Sequence, residues 1–162
     1  MTVRGPASKW EPSRRIFPGI DGIKRSIAYR SAVQARLGLE ATDGDEALAL
    51  VRADRPDVIL LDIMMPRVSG WEVASALLAD SSTDRIPIIF ITARTGVTDR
   101  IRAFELGAQE YVTKPFDPAG LAATITKVLD QIDRGERDAD LAETLAALKA
   151  EQEGGSKTLR PA

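Results

Sequence analysis

The sequence predicts an α/β protein, a parallel sheet wound with helices on both faces, and three short stretches predict it. Val58-Ile59-Leu60-Leu61, Ile86-Pro87-Ile88-Ile89-Phe90-Ile91 and Tyr111-Val112-Thr113 are short runs separated by turn residues and helical patterns. Such runs read as strands of a buried parallel sheet. The first closes on Asp62, the second on Thr92 and the third on Lys114. Ligands bind outside the carboxyl ends of the strands in open parallel sheets. An acid, a hydroxyl and an ammonium would therefore converge on one edge. Asp62 alone reads equally well as a strand terminator or a turn cap, because Asp is a common turn residue; the succession of three points to a site.

The elements follow in order. Met1 to Arg15 holds two prolines, a glycine, several charges and Trp10, and reads as a disordered lead. The first strand is irregular: only Ile16-Phe17 resembles one, and Pro18 cannot donate to a ladder. A first helix is expected from Gly22 to about Leu37, with Ile23 and Ile27 on one face and a break at Ser31. The second strand falls near Leu37 to Thr42 and is poorly formed as a pattern. Asp43 or Asp45 caps a helix through Val51, with Ala47, Leu48 and Val51 inward. Gly70 opens a helix through Ala79 with Val73, Ala74, Leu77 and Leu78 as its stripe; Trp71 reads as partly buried. A helix from about Thr98 to Leu106 stops at Gly107. Asp117 caps the next helix and Pro118 takes its first position, with Leu121, Ile125, Val128, Leu129 and Ile132 as the buried stripe. After Gly135, residues 136–152 are again helical, with Leu141, Leu145 and Leu148 on one face. That helix is read either as an extension packing on its own domain or as a dimer or partner helix. From Gly154 the chain reads as a tail.

Bulk properties narrow the function classes. A chain of 162 residues with a formal net charge of −2 suits one domain and carries no electrostatic footprint for nucleic acid. With no cysteine, disulfides and thiolate chemistry are excluded, and the cytoplasm is favoured. With no histidine, histidine catalysis and the usual zinc sites are excluded. No apolar stretch approaches the roughly 20 residues that span a membrane, and Met1 to Arg15 lacks the apolar run of a secretory signal.

The residues LLDIMMPRVSG around Asp62, FITAR around Thr92 and YVTKPF around Lys114 resemble the response-regulator receiver domain of two-component signalling, at the spacings of that family. The resemblance covers about Asp21 to Ile132. It implies a flavodoxin-like, five-stranded parallel sheet of order 2-1-3-4-5, and a signalling module of the cytoplasm that is not an enzyme. It implies that Asp62 accepts a phosphoryl group from a histidine kinase or phosphotransfer protein. Lys114 would neutralise a phosphoryl oxygen, Thr92 would donate its hydroxyl, and Tyr111 would swing inward as a switch. The Lys114–Pro115 bond would be a cis-proline turn. Mg²⁺ would bind Asp62 and the backbone carbonyl of Met64. The receiver would act by contact with an output protein or as a homodimer, standing alone because no output domain follows in the sequence.

One departure bears on the metal. The resemblance calls for two adjacent acids after the first strand, where this chain has Pro18-Gly19. Asp21 is a candidate substitute; Ile20 has no side-chain oxygen to offer. Either a degenerate receiver or a locally altered reading frame would produce residues 16–41 as they stand. The organisation expected is a lead over 1–15, a receiver over 16–134 and a helical extension and tail over 135–162. Two alternatives stand beside the phosphorylated receiver. One is a pseudo-receiver that binds proteins without taking phosphate. The other is a small flavodoxin-shaped enzyme, disfavoured because the chain has no glycine-rich phosphate loop.

Overall fold

The computed structural model describes residues 26–29, 39–41 and 43–157. Its elements are β1 (Ser26–Tyr29), β2 (Leu39–Ala41), α1 (Gly44–Asp54), β3 (Val58–Leu61), α2 (Gly70–Ala79), β4 (Ile88–Thr92), α3 (Val97–Glu105), β5 (Ala108–Thr113), α4 (Pro118–Asp133) and α5 (Arg137–Lys157). The sheet order is β2-β1-β3-β4-β5. This is the doubly wound, flavodoxin-like order that the sequence predicts.

Strands β3, β4 and β5 run parallel, with Leu61 opposite Phe90 and Thr92 opposite Thr113. Every residue of β3 and β4 is buried, and alternate residues serve opposite faces. Ile59, Leu61, Ile88 and Phe90 join the core under α1 and α2, with Ala103 of α3 at its edge. Val58, Leu60, Ile89 and Ile91 join the core under α4, against Leu121, Ile125 and Val128. The continuous apolar text of these strands is thus the consequence of cover on both sides.

The N-terminal part differs from expectation. Residues 26–29 form a strand inside the stretch expected to be the first helix, and that strand runs antiparallel to both β2 and β3. The helical signal there is the Ile23–Ile27 pair, broken at Ser31 and restarted on a shifted face by Val33 and Leu37, which is weak. The free side of β3 is a row of backbone donors and acceptors inside the protein, and those groups must be paired. Parallel and antiparallel ladders differ little in energy per residue, so direction is not imposed by the pairing itself. The lead, the strand expected at Ile16-Phe17, Pro18, Gly19 and Asp21 lie outside the described residues.

Local chemistry sets the helix starts. Asp43 caps α1 by accepting from the Glu46 backbone N–H at 3.1 Å. Ser69 and Glu72 form a reciprocal capping box on α2. Asp117 caps α4 by accepting from Gly120 N–H, with Pro118 following. Gly107 and Gly135 take φ of 81° and 73°, left-handed values that end α3 and separate α4 from α5. Trp71 is buried rather than partly exposed, stacked at an angle on Phe90 with centroids 5.0 Å apart and covered by the Arg102 guanidinium. The helix after Gly135 continues through Gly154 and Gly155 to Lys157, beyond the tail boundary expected at Gly154. Elongation of a formed helix needs only one further hydrogen bond per residue fixed.

Gly70 is where α2 meets the end of β3. A Cβ built there would overlap the Asp62 carbonyl oxygen and lie 2.8 Å from the Ile63 Cα. Both obstacles are backbone. Gly70→Ala should therefore cost about 1–3 kcal/mol, the usual range for overpacking, read as a lower midpoint in urea unfolding with an unchanged slope.

Candidate functional site

Asp62 is the first residue after β3, Thr92 the last of β4, and Lys114 the first after β5. Parallel register brings the three to one end of the sheet. The Lys114 backbone N–H donates to the Thr92 carbonyl at 2.8 Å, carrying the β4–β5 ladder one step past the strand. The Lys114–Pro115 peptide bond is cis.

The carboxylate of Asp62 is 5 % exposed. Its Oδ2 accepts from Lys114 Nζ at 2.5 Å, and its Oδ1 accepts from the Met64 backbone N–H at 2.9 Å. A buried charge is tolerated when it is paired and its remaining lone pairs are hydrogen-bonded. Asp62 meets that condition with one cation and one amide. Charge-assisted bonds of this kind are about twice as strong as neutral ones. The Met64 side chain is 66 % exposed, so the residue contributes backbone inward and leaves its thioether outside.

The loop from Ile63 to Ser69 is held from several directions. Gly70 N–H donates to the Ile63 carbonyl at 3.1 Å, and Val68 N–H donates to the Pro66 carbonyl at 2.8 Å. Arg67 adopts φ of 63° and its guanidinium pairs with the Asp43 carboxylate, the same group that caps α1. A cap at Asp43 or Asp45 is legible in the sequence; the pairing of Asp43 with Arg67 is not. Ion pairs between residues this far apart in the chain leave no periodic signal.

Thr92 is fully buried. Its Oγ1 accepts from the Arg94 backbone N–H at 3.2 Å. A hydroxyl that accepts still has its own O–H to donate. The Arg94 carbonyl accepts from the Tyr111 hydroxyl at 2.9 Å. Arg94 thus lies between Thr92 and Tyr111 as a two-bond relay. Its side chain is tied to Asp99 at 2.9 Å. Although Arg94 stood in the FITAR motif, nothing in the sequence marked its backbone as the connection.

The Tyr111 ring is half-buried and its centroid lies 6.4 Å from Phe90. Burial, with the Asp99 carboxylate nearby, pushes the phenol up to about 12. The native chain therefore keeps a proton that the unfolded chain loses above 10.0, the ordinary value. The stabilisation this represents is complete below the ordinary value and is lost as pH rises through about 12. The absorbance difference between the parent and Tyr111→Phe should show one phenol titrating near the upper value. A midpoint at the ordinary value would mean an open Tyr111.

Among the described residues, no group of three or more His, Cys, Asp or Glu side chains is gathered to hold a metal. Asp62 and the Met64 carbonyl are the two donors expected for Mg²⁺, and the Asp62 carboxylate is already engaged by Lys114. Mg²⁺ is held by one or two carboxylates with phosphate and waters in octahedral geometry. One paired carboxylate falls at the bottom of that range, so the described residues do not by themselves fit a strong Mg²⁺ site.

The response regulator receiver domain family matches residues 20–126. "Probable transcriptional regulator ycf27" of Porphyridium aerugineum is 37% identical over 119 residues, 74% of this chain and 48% of that protein. Protein PilH of Pseudomonas aeruginosa is 40% identical over 91 residues, 56% of this chain and 75% of that protein. The chain spans about half or less of the length of the ycf27 relatives it matches. Among solved structures, the chemotaxis protein CheY4 of Vibrio cholerae superposes with a TM-score of 0.55 at 34% identity, over 60% of this chain and 82% of that one. With the matched span covering more than half of the sequence, the chain belongs to the response regulator receiver domain family of two-component signalling.

Proposed function

We propose that this receiver takes a phosphoryl group on Asp62 from the phosphohistidine of a histidine kinase or phosphotransfer protein. The Asp62–Lys114 pair at the sheet end is the observation that carries the reading. A carboxylate oxygen of Asp62 forms the new P–O bond as the P–N bond of the phosphohistidine breaks. The imidazole leaves with the bonding electron pair, and an acyl phosphate remains. Phosphoryl transfer asks the protein mainly for position and charge neutralisation. Lys114 Nζ, already 2.5 Å from the carboxylate, is placed to neutralise a phosphoryl oxygen. Thr92 lends its O–H to another oxygen. Tyr111, linked to Thr92 through Arg94, carries the change to the surface as a population shift. The receiver extends over 16–134, with the extension over 135–162, and signals by contact with a protein partner. Among the described residues no helix is long and apolar enough to cross a membrane.

Receivers generally bind Mg²⁺ at this site; Asp62 and the Met64 carbonyl would hold the ion, which would supply positive charge toward the phosphoryl group. In the register the sequence suggests, Pro18 and Gly19 stand where the resemblance calls for the acidic pair, and the described donors are few. This favours a second reading, a pseudo-receiver that binds protein without taking phosphate.

Two experiments separate the readings. Acetyl phosphate should label the parent, slowly, and Asp62→Asn should abolish labelling with the fold intact, because the amide keeps the shape and loses the nucleophilic oxygen. Labelling that survives the substitution would place the acceptor elsewhere; a parent that takes no label at any Mg²⁺ concentration is the pseudo-receiver. Mg²⁺ titration of Trp71 fluorescence, with Trp10 replaced, should show weak binding, strengthened when Pro18 and Gly19 are both changed to Asp. Tight binding by the parent would show that another acid, such as Asp21, serves the ion.

A further inference from the structure

The helix beyond the matched receiver span does not project away. α5 lies along α3 and reaches β5. Leu148 is 4% exposed and forms a small core with Ile101 and Phe104 of α3; Val97, Tyr111, Leu141 and Leu145 pack against it. Polar ties fix the register of the helix. Lys149 Nζ meets Glu105 at 2.9 Å, and Gln152 Nε2 donates to Thr98 Oγ1 at 3.1 Å. At the other end, Arg137 Nη2 donates to the Asp84 carbonyl at 3.1 Å. The cluster is separate from the two cores that flank the sheet, apart from one residue. Tyr111 packs against both the α5 cluster and the core under α1 and α2.

We infer that α5 is a strap in cis over the α3–β5 face, and that its hold depends on the state of the Asp62 site through Thr92, Arg94 and Tyr111. The inference rests on the phosphoacceptor reading for its physiological trigger. Its physical content is the contact path. Thr92 Oγ1 accepts the Arg94 N–H, the Arg94 carbonyl accepts the Tyr111 hydroxyl, and the Tyr111 ring packs against the Ile101–Phe104–Leu148 cluster. A phosphoryl oxygen that draws the Thr92 hydroxyl changes the first link. The Tyr111 hydroxyl then loses its acceptor in place, and a ring that packs against the α5 cluster shifts. The surface α5 leaves behind includes Ile101 and Phe104, which are 7% and 5% exposed while it is seated. The strap keeps an apolar face covered until the site is occupied. Exposed polar contacts such as Lys149–Glu105 contribute little, so a small cluster of apolar side chains holds the helix, and a modest change in it suffices for release.

The test is amide hydrogen exchange along Leu141–Gln152, with Leu121–Val128 of α4 as the internal reference. In the full chain with acetyl phosphate and Mg²⁺, exchange in α5 should rise about 5-fold or more relative to α4, the low end of typical allosteric coupling. Asp62→Asn should show no such rise. Labelled protein with unchanged α5 exchange overturns the strap while leaving the phosphoacceptor reading standing. If the parent takes no label, that reading fails, and the strap is decided without phosphate. Thr92→Val removes the acceptor of the Arg94 N–H. It should raise α5 exchange relative to α4 by a similar factor if the path is real, and unchanged exchange overturns it.

Discussion

A carboxylate buried at the end of a strand that is apolar on both faces has to be answered by a cation. Asp62 follows Val58–Leu61, none of which reaches solvent, and is itself 5 % exposed. An uncompensated charge in such a place costs several kcal/mol. Lys114 meets the charge from two strands away, and the elements between exist in positions that allow it. β4 separates β3 from β5 by one ladder step on each side, and the Lys114 amide is hydrogen-bonded to the Thr92 carbonyl. The two cores that clamp the sheet fix the strand ends to which the pair is attached.

Around that pair the backbone is over-determined. Gly70 brings α2 onto the Asp62 carbonyl with no room for a side chain, Ser69 and Glu72 close the start of α2, and Arg67 ties the loop to the cap of α1. Thr92, Arg94 and Tyr111 are joined by single hydrogen bonds, and the Tyr111 ring packs against two hydrophobic clusters. Asp62 thus sits beside backbone held by several contacts, and Thr92 beside a chain of two hydrogen bonds. A packed region transmits a change only where it has a second arrangement available.

The N-terminal side of the sheet shows how tertiary demand outranks weak local pattern. β3 needs a partner on the side away from β4, and residues 26–29 supply it in antiparallel sense. An Ile23–Ile27 pair broken at Ser31 carries little helical preference against that demand. The position of β1 between β2 and β3 is the family's order, filled with the chain running the other way. Mixed pairing of this kind is compatible with the fold because a ladder satisfies backbone groups in either direction.

The sequence by itself determined what depends on neighbours in the chain. The buried strands were legible in the unbroken apolar text of Val58–Leu61 and Ile88–Ile91, and helix starts in Asp43, Asp117 and Pro118. The convergence of Asp62, Thr92 and Lys114 followed from their places at the ends of successive parallel strands. All of these are signals of period or of fixed offset, which a linear text carries. The tertiary structure alone decided the direction of β1, the Arg67–Asp43 tie, the Arg94 relay and the seat of α5 on α3. Sequence left α5 open between packing on its own domain and serving a partner, since Leu141, Leu145 and Leu148 define an apolar stripe without naming what covers it. The contact of Leu148 with Ile101 and Phe104 names it. Such contacts join residues tens of positions apart, through surfaces that exist only once the sheet has formed, so no local pattern can encode them.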